Sequence, residues 1–247
     1  MYNLKAAYIN ELFKISKKKK IVVASLLSIA LVATVAVILG VVNGFTGVGM
    51  LFTGNFAIYI LPIFEYTIIP LFTAFIAIDM FSGEYSNDTI KLTLTRPVSR
   101  FKVYLSKVLA CATFLGIFLG FTMVIAIIIS MFGDFSVSGL LKTTLSYLAT
   151  FFPLMVFALM VMLISNFSRG SASAFLISIV VFLLFKGLEI AFPSYSSFIY
   201  TSSFDWYKLF VGHYINWGKI FRLLLIFAGT GTVFFASGYL LFDRREI

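Results

Sequence analysis

Few of the 247 residues could do chemistry, and their spacing narrows the choice. One histidine, His213, cannot supply the paired imidazoles of an H-E-x-x-H zinc site. The stretch GHYINWGKI, Gly212 to Ile220, resembles a phosphate-binding loop only superficially: its glycines are wrongly spaced and Ile220 stands where a hydroxyl must reach magnesium. Cys111 is the single cysteine, so it forms no intramolecular disulfide, and it lies within an apolar run. A membrane-embedded hydrolase would therefore lack a nucleophile and base set.

Three other groups of ionisable residues remain. Glu65 lies in apolar sequence between Pro62 and Pro70, which remove backbone donors and bend helices. An ionisable group in such a place marks a candidate pathway or proton site, and equally a hydrogen-bonded structural glutamate. Lys186 and Glu189 are three residues apart, the spacing of a local helical ion pair. The third group is the mixed-charge stretch EYSNDTIKLTLTRPVSR, Glu84 to Arg100, flanked on both sides by long apolar segments.

The elements that must hold these residues follow from composition. The chain is 61% hydrophobic and only 12% charged, against about 25% charged in soluble domains, which makes it an all-α integral membrane protein. A hydrocarbon core of roughly 30 Å needs about 20 apolar helical residues. That criterion predicts six transmembrane helices, near Ile21–Val42, Phe56–Ile78, Val108–Phe132, Thr144–Ile164, Ala172–Phe192 and Leu223–Phe242. The first of these has 22 uncharged residues and no A-x-A-like site after it, so it reads as a span rather than a cleaved leader.

Residues 1–20 read as an amphipathic interfacial helix, with Leu4, Tyr8, Ile9, Leu12, Phe13 and Ile15 recurring at helical spacing and Lys5, Asn10, Glu11, Lys14 and Lys17 toward another side. With both termini cytoplasmic, 14 of the 19 Lys and Arg residues fall on the inner side, as the positive-inside rule requires. The net charge of +9 is then explained by topology and anionic lipid, without nucleic acid. In the third span, Gly116 and Gly120 form a G-x-x-x-G helix-packing pattern. The outer segment 193–217 holds both tryptophans, Trp206 and Trp217, and several tyrosines, which predicts an interfacial or partly re-entrant stretch.

The loop 79–107 is the longest on the inner side and carries both signs of charge. Ser86, Asn87 and Asp88 offer capping side chains, and Pro97 forces Arg96 out of helical geometry. Between them Ile90, Leu92 and Leu94 alternate as in a strand, while Ile90 and Leu94 alone would make a helical face. Either way, apolar teeth rimmed by charge resemble the core and rim of a protein interface.

At these residues the chain resembles the permease subunits of type-2 ATP-binding-cassette transporters. Glu84, Thr89, an apolar run, then Pro97, Val98, Ser99 and Arg100 fit that family's loop pattern, with Asp88 where a glycine is common. The interfacial N-terminal helix, six spans, outer aromatic stretch and short charged tail extend the likeness over the whole chain. It implies a membrane subunit that is not itself an enzyme and holds no cofactor, paired with a second permease chain, identical or related, in a bacterial cell membrane. A separate ATPase subunit would bind ATP and magnesium. Residues Glu84 to Arg100, with Ile90, Leu92 and Leu94 as the apolar teeth, would dock in that subunit and couple its closure to spans two and three. Phe-rich spans with few polar groups suit export of a hydrophobic or amphipathic cargo, such as an antimicrobial peptide. The competing reading is an ion- or proton-coupled carrier using Glu65, although no internal repeat supplies a counterpart in the second half.

Overall fold

The structure, a computed structural model, describes residues 4–46, 56–87, 99–131, 137–168, 170–194, 199–212 and 216–245. Among them every regular element is helical. In chain order these are α1 (Leu4–Ser16), α2 (Lys19–Thr46), α3 (Phe56–Tyr66), α4 (Ile68–Met80), α5 (Ser82–Ser86), α6 (Arg100–Ser130), α7 (Val137–Phe167) and α8 (Ser171–Ala191). A 3-10 helix (Tyr200–Tyr207), α9 (Lys208–Val211) and α10 (Trp217–Arg244) complete the chain. Six helical stretches are long and apolar enough to cross a membrane: Lys19–Ile38, Ile68–Ser86, Arg100–Ser130, Gly139–Phe167, Ser171–Ala191 and Trp217–Arg244.

Burial divides these stretches into a centre and a periphery. The α4–α5 stretch is 72% buried within the chain and α7 67%, whereas α2, α8 and α10 are at most 22% buried. The outer helices therefore present apolar side chains such as Val22, Leu26, Leu176 and Leu183 outward, as lipid contact demands. Close helix approach is achieved with glycine at two points on α10. Gly231 faces Leu159 and Val156 of α7, and Gly238 lies directly against the Tyr104 hydroxyl of α6.

The second hydrophobic stretch is bent. Helices α3 and α4 meet at Thr67, where the backbone leaves helical geometry (φ −124°, ψ −85°), and Pro70 lacks the N–H that would bond the Tyr66 carbonyl. In α7 the interior Pro153 likewise frees the carbonyl of Ala149. The indole Nε1 of Trp206 donates to that oxygen at 3.0 Å. A tryptophan from the aromatic outer segment thus satisfies the acceptor orphaned by a proline in a different helix.

That pairing draws the 3-10 helix into the bundle. Tyr200, Phe204, Trp206 and Tyr207 are all buried, the Tyr200 hydroxyl meets the Met160 sulfur at 3.2 Å, and the Lys186 ammonium donates to the Thr201 carbonyl at 2.9 Å. From Trp206 beside Ala149 to Tyr200 beside Met160, the segment descends about 16 Å along α7 at the α-helical rise. Backbone without α-helical bonding is tolerated at this depth because protein surrounds it.

Candidate functional site

Helix α1 and the end of α10 lie at one end of the bundle, and most of the buried charge among the described residues gathers there. Glu11 and Lys14 come from α1, Glu84 from α5 and Lys107 from the first turns of α6. The Lys14 ammonium donates to Glu11 Oε1 at 2.9 Å and to Glu84 Oε1 at 2.8 Å. The Lys107 ammonium donates to Glu11 Oε2 at 3.2 Å and to Glu84 Oε2 at 2.8 Å. Each carboxylate gives one oxygen to each lysine, so the four residues close a neutral ring of alternating charge. Lys107 is fully buried and Glu11 and Glu84 nearly so, while Lys14 stays half-buried at the rim.

The electrostatics follow from this arrangement. Burial alone would lower the Lys14 pKa, but the carboxylates of Glu11 and Glu84 override it and hold the ammonium above the usual lysine range. Beside the ring, Asp79 at the end of α4 accepts from Lys20 at 2.8 Å and pairs with Lys18 at 3.3 Å. Lys18 is drawn below its ordinary pKa by burial, which Asp79 only partly offsets. A cavity of about 410 Å³ opens between α1 and α5, walled by Glu11, Lys14, Lys18, Asp79 and Glu84.

Helix α5 is held on its other sides too. Phe81, which leads into it, is buried in an aromatic cluster with Tyr104 and Phe242, at 5.7 and 6.0 Å between ring centres. Ser82 donates to the Ser165 carbonyl at the end of α7, at 2.8 Å. The Arg245 guanidinium lies 3.8 Å over the Tyr85 ring and donates to the carbonyls of Asn166 (2.6 Å) and Ser168 (3.2 Å). Arg100 reaches back to the carbonyls of Asp243 and Arg245. The short helix carrying Glu84 is therefore seated in a socket built from α1, α6, α7 and the end of α10.

The structure brings Glu84, Ser99 and Arg100 to this end of the molecule. Ser99 precedes α6 in extended geometry without capping through its side chain. Thr89, Ile90, Leu92, Leu94, Pro97 and Val98 lie outside the described residues, as do Arg96 and His213. Glu65 is elsewhere, in the last turn of α3 and about 20 Å along the bent α3–α4 path from Asp79. It is completely buried, and neither carboxylate oxygen has a hydrogen-bond partner. Gly116 faces the Phe151 ring, which a Cβ added there would meet at 3.8 Å, whereas Gly120 opens onto a cleft between α6 and α7. Lys186 and Glu189 are paired at 3.0 Å, as their spacing predicts.

Sequence reasoning missed Glu11, Lys14 and Lys107 as partners of Glu84, and Arg245 as the clamp on α5. One signal pointed toward Lys107: it adjoins a long apolar run and has no acidic residue three or four positions away to pair with on its own helix.

Fold and site together define a six-span, all-helical membrane protein whose buried charge ties α1 to α5 and α6, at the connection between the second and third spans. A family model described as an ABC-2 family transporter protein matches residues 9–185, and the chain belongs to that family, as a permease subunit of a type-2 ATP-binding-cassette transporter. The match takes in the whole charge ring and stops short of the 3-10 helix and α10. A comparison with curated proteins returns no match.

Proposed function

We propose that this chain pairs with a second permease chain, identical or related, in a bacterial cell membrane, with both termini cytoplasmic, and exports a hydrophobic or amphipathic cargo such as an antimicrobial peptide. ATP and magnesium are bound by a separate ATPase subunit that docks on the 88–98 segment. The observation that carries this reading is the charge ring: it welds α5, which leads directly into that segment, to α1 and to the root of α6.

The mechanical consequence is a lever. A push delivered to residues just beyond α5 cannot be absorbed by α5 swinging alone, because Glu84, Phe81, Ser82 and Tyr85 are each tied to a different neighbour. The displacement passes instead into α4 through Phe81 and into α6 through Lys107. In this role Glu84 positions the coupling segment from within the permease, while Ile90, Leu92 and Leu94 supply the apolar contact with the ATPase. Arg100, bonded to the end of α10, extends the same rigid unit to the sixth span.

The test is purification of the tagged chain from its own cell in mild detergent, with mass spectrometry of co-purifying proteins and an ATPase assay. An ATP-binding-cassette subunit and ATP hydrolysis should be recovered with the wild type and with Glu65→Gln. Both should be lost with Leu94→Asp, which should remain a folded membrane protein. Recovery of folded permease with no ATPase, together with uptake or efflux that follows a proton gradient, would overturn the reading. The buried, unpartnered Glu65 would then become the centre of a secondary carrier.

A further inference from the structure

An apolar cleft of about 400 Å³ separates α1 and α2 from α6, and no side chain among the described residues fills it. Leu12 and Ile15 form one wall, Ser25 of α2 another, and Phe114, Ile117 and Phe121 the floor along α6. The few hydroxyls at its edge are spent internally: Ser25 donates to the Ile21 carbonyl at 3.0 Å, and Thr113 is bonded to Tyr8 at 2.7 Å. The cleft therefore asks for an apolar occupant. It is open at the side, where Ile117 is 67% exposed.

Length and charge identify the occupant. From Thr113 to Phe121 the floor runs about 12 Å at the helical rise, close to the roughly 15 Å hydrocarbon depth of one leaflet. The mouth lies at the junction of α1 and α2, where Ser16 and Ile21, both lining the cleft, are joined by the run Lys17–Lys20. Two of those lysines, Lys18 and Lys20, are committed to Asp79. The other two are exposed and have no acidic partner among the described residues; the Lys17 ammonium rests 4.1 Å over the Phe13 ring at the surface.

We propose that this cleft is a binding site for one anionic phospholipid, with an acyl chain lying along α6 and the headgroup phosphate held at Lys17 and Lys19. The site is independent of the ATPase and of the cargo. It would fix the angle between α1 and α2, and so hold the interfacial helix where Glu11 and Lys14 can complete the charge ring. Each basic residue near an anionic headgroup strengthens binding by roughly fivefold, so the pair should favour an anionic over a zwitterionic lipid by about 20- to 30-fold.

The experiment is native mass spectrometry of the full chain, titrated in detergent with phosphatidylglycerol or phosphatidylcholine. One phosphatidylglycerol should be retained per chain with a preference on the order of 20-fold, and Lys17→Gln/Lys19→Gln should reduce that preference to within about threefold. Ser25→Phe, which fills the cleft from α2, should abolish retention of either lipid. Lys219→Gln, at the opposite end of the bundle, should change nothing. Equal retention of the two lipids by the wild type, or an unchanged preference in the double glutamine variant, would overturn the proposal. So would efficient disulfide-linked dimer formation by Ser25→Cys in a Cys111→Ser background, since the cleft would then be filled by a second copy.

Discussion

Lys107→Met is the sharpest perturbation of the charge ring. The ammonium it removes is fully buried and lies 2.8 and 3.2 Å from two carboxylates that are themselves almost inaccessible. These four residues go from neutral to a net charge of −1, and of the two ring lysines Lys14, half-buried at the rim, remains. Breaking a buried pair in this way costs about 3–5 kcal/mol, and the apolar volume of Met recovers little of it. Glu84→Gln alone should be costly for the mirror-image reason. Combining the two restores neutrality and leaves Glu11 with Lys14, a three-apart pair worth less than about 1 kcal/mol. The double variant should therefore be more stable than the sum of the singles implies, with a coupling energy of about 2–3 kcal/mol. Thermal or denaturant unfolding of the four proteins in one lipid nanodisc preparation measures this. Additivity within about 0.5 kcal/mol would mean that the ring does not act as a unit, and the lever built on it would fail.

Two further substitutions probe the packing around that end and the 3-10 segment. A Cβ added in Gly238→Ala would fall on the Tyr104 hydroxyl, which is buried and has no hydrogen-bond partner; a loss of about 1–3 kcal/mol is expected, and Tyr104→Phe should relieve most of it while being harmless alone. Trp206→Phe keeps the ring contacts but leaves the Ala149 carbonyl orphaned beside Pro153, so it should cost about 1–3 kcal/mol and increase hydrogen exchange across residues 200–207; unchanged exchange would show that the indole bond does not seat that segment.

The all-helical, six-span class was legible because membrane insertion imposes its signal locally: apolar runs of sufficient length and a bias of basic residues to one side. Tertiary pairing has no such local trace. Lys107 contributed to the reading only as one of many inner-side cations, yet its partners are 23 and 96 residues away. Glu11 read as part of the solvated face of an interfacial helix. In the structure Glu11 turns inward to meet Lys107, while Ile9 and Phe13 of the apolar set face outward. The Trp206 bond illustrates the same limit. Pro153 advertises a free carbonyl at Ala149, but nothing in the linear pattern names the donor 57 residues on.

The socket around α5 also has a chronology. Glu11, Lys14, Glu84 and Lys107 have all been synthesised once the third span begins, so the ring can close while the second half of the chain is still absent. Arg245, which caps Tyr85 and seals the carbonyls of Asn166 and Ser168, is about 160 residues further along than Tyr85. At ribosomal rates of about 5–20 residues per second, that is a wait of roughly 8–30 s. During that interval α5 is fastened on one side and bare on the other, and a partner that reads its finished shape would meet an incomplete surface. On the coupling role proposed above, the guanidinium of Arg245 would act as a completion mark, tying readiness of that end to arrival of the sixth span.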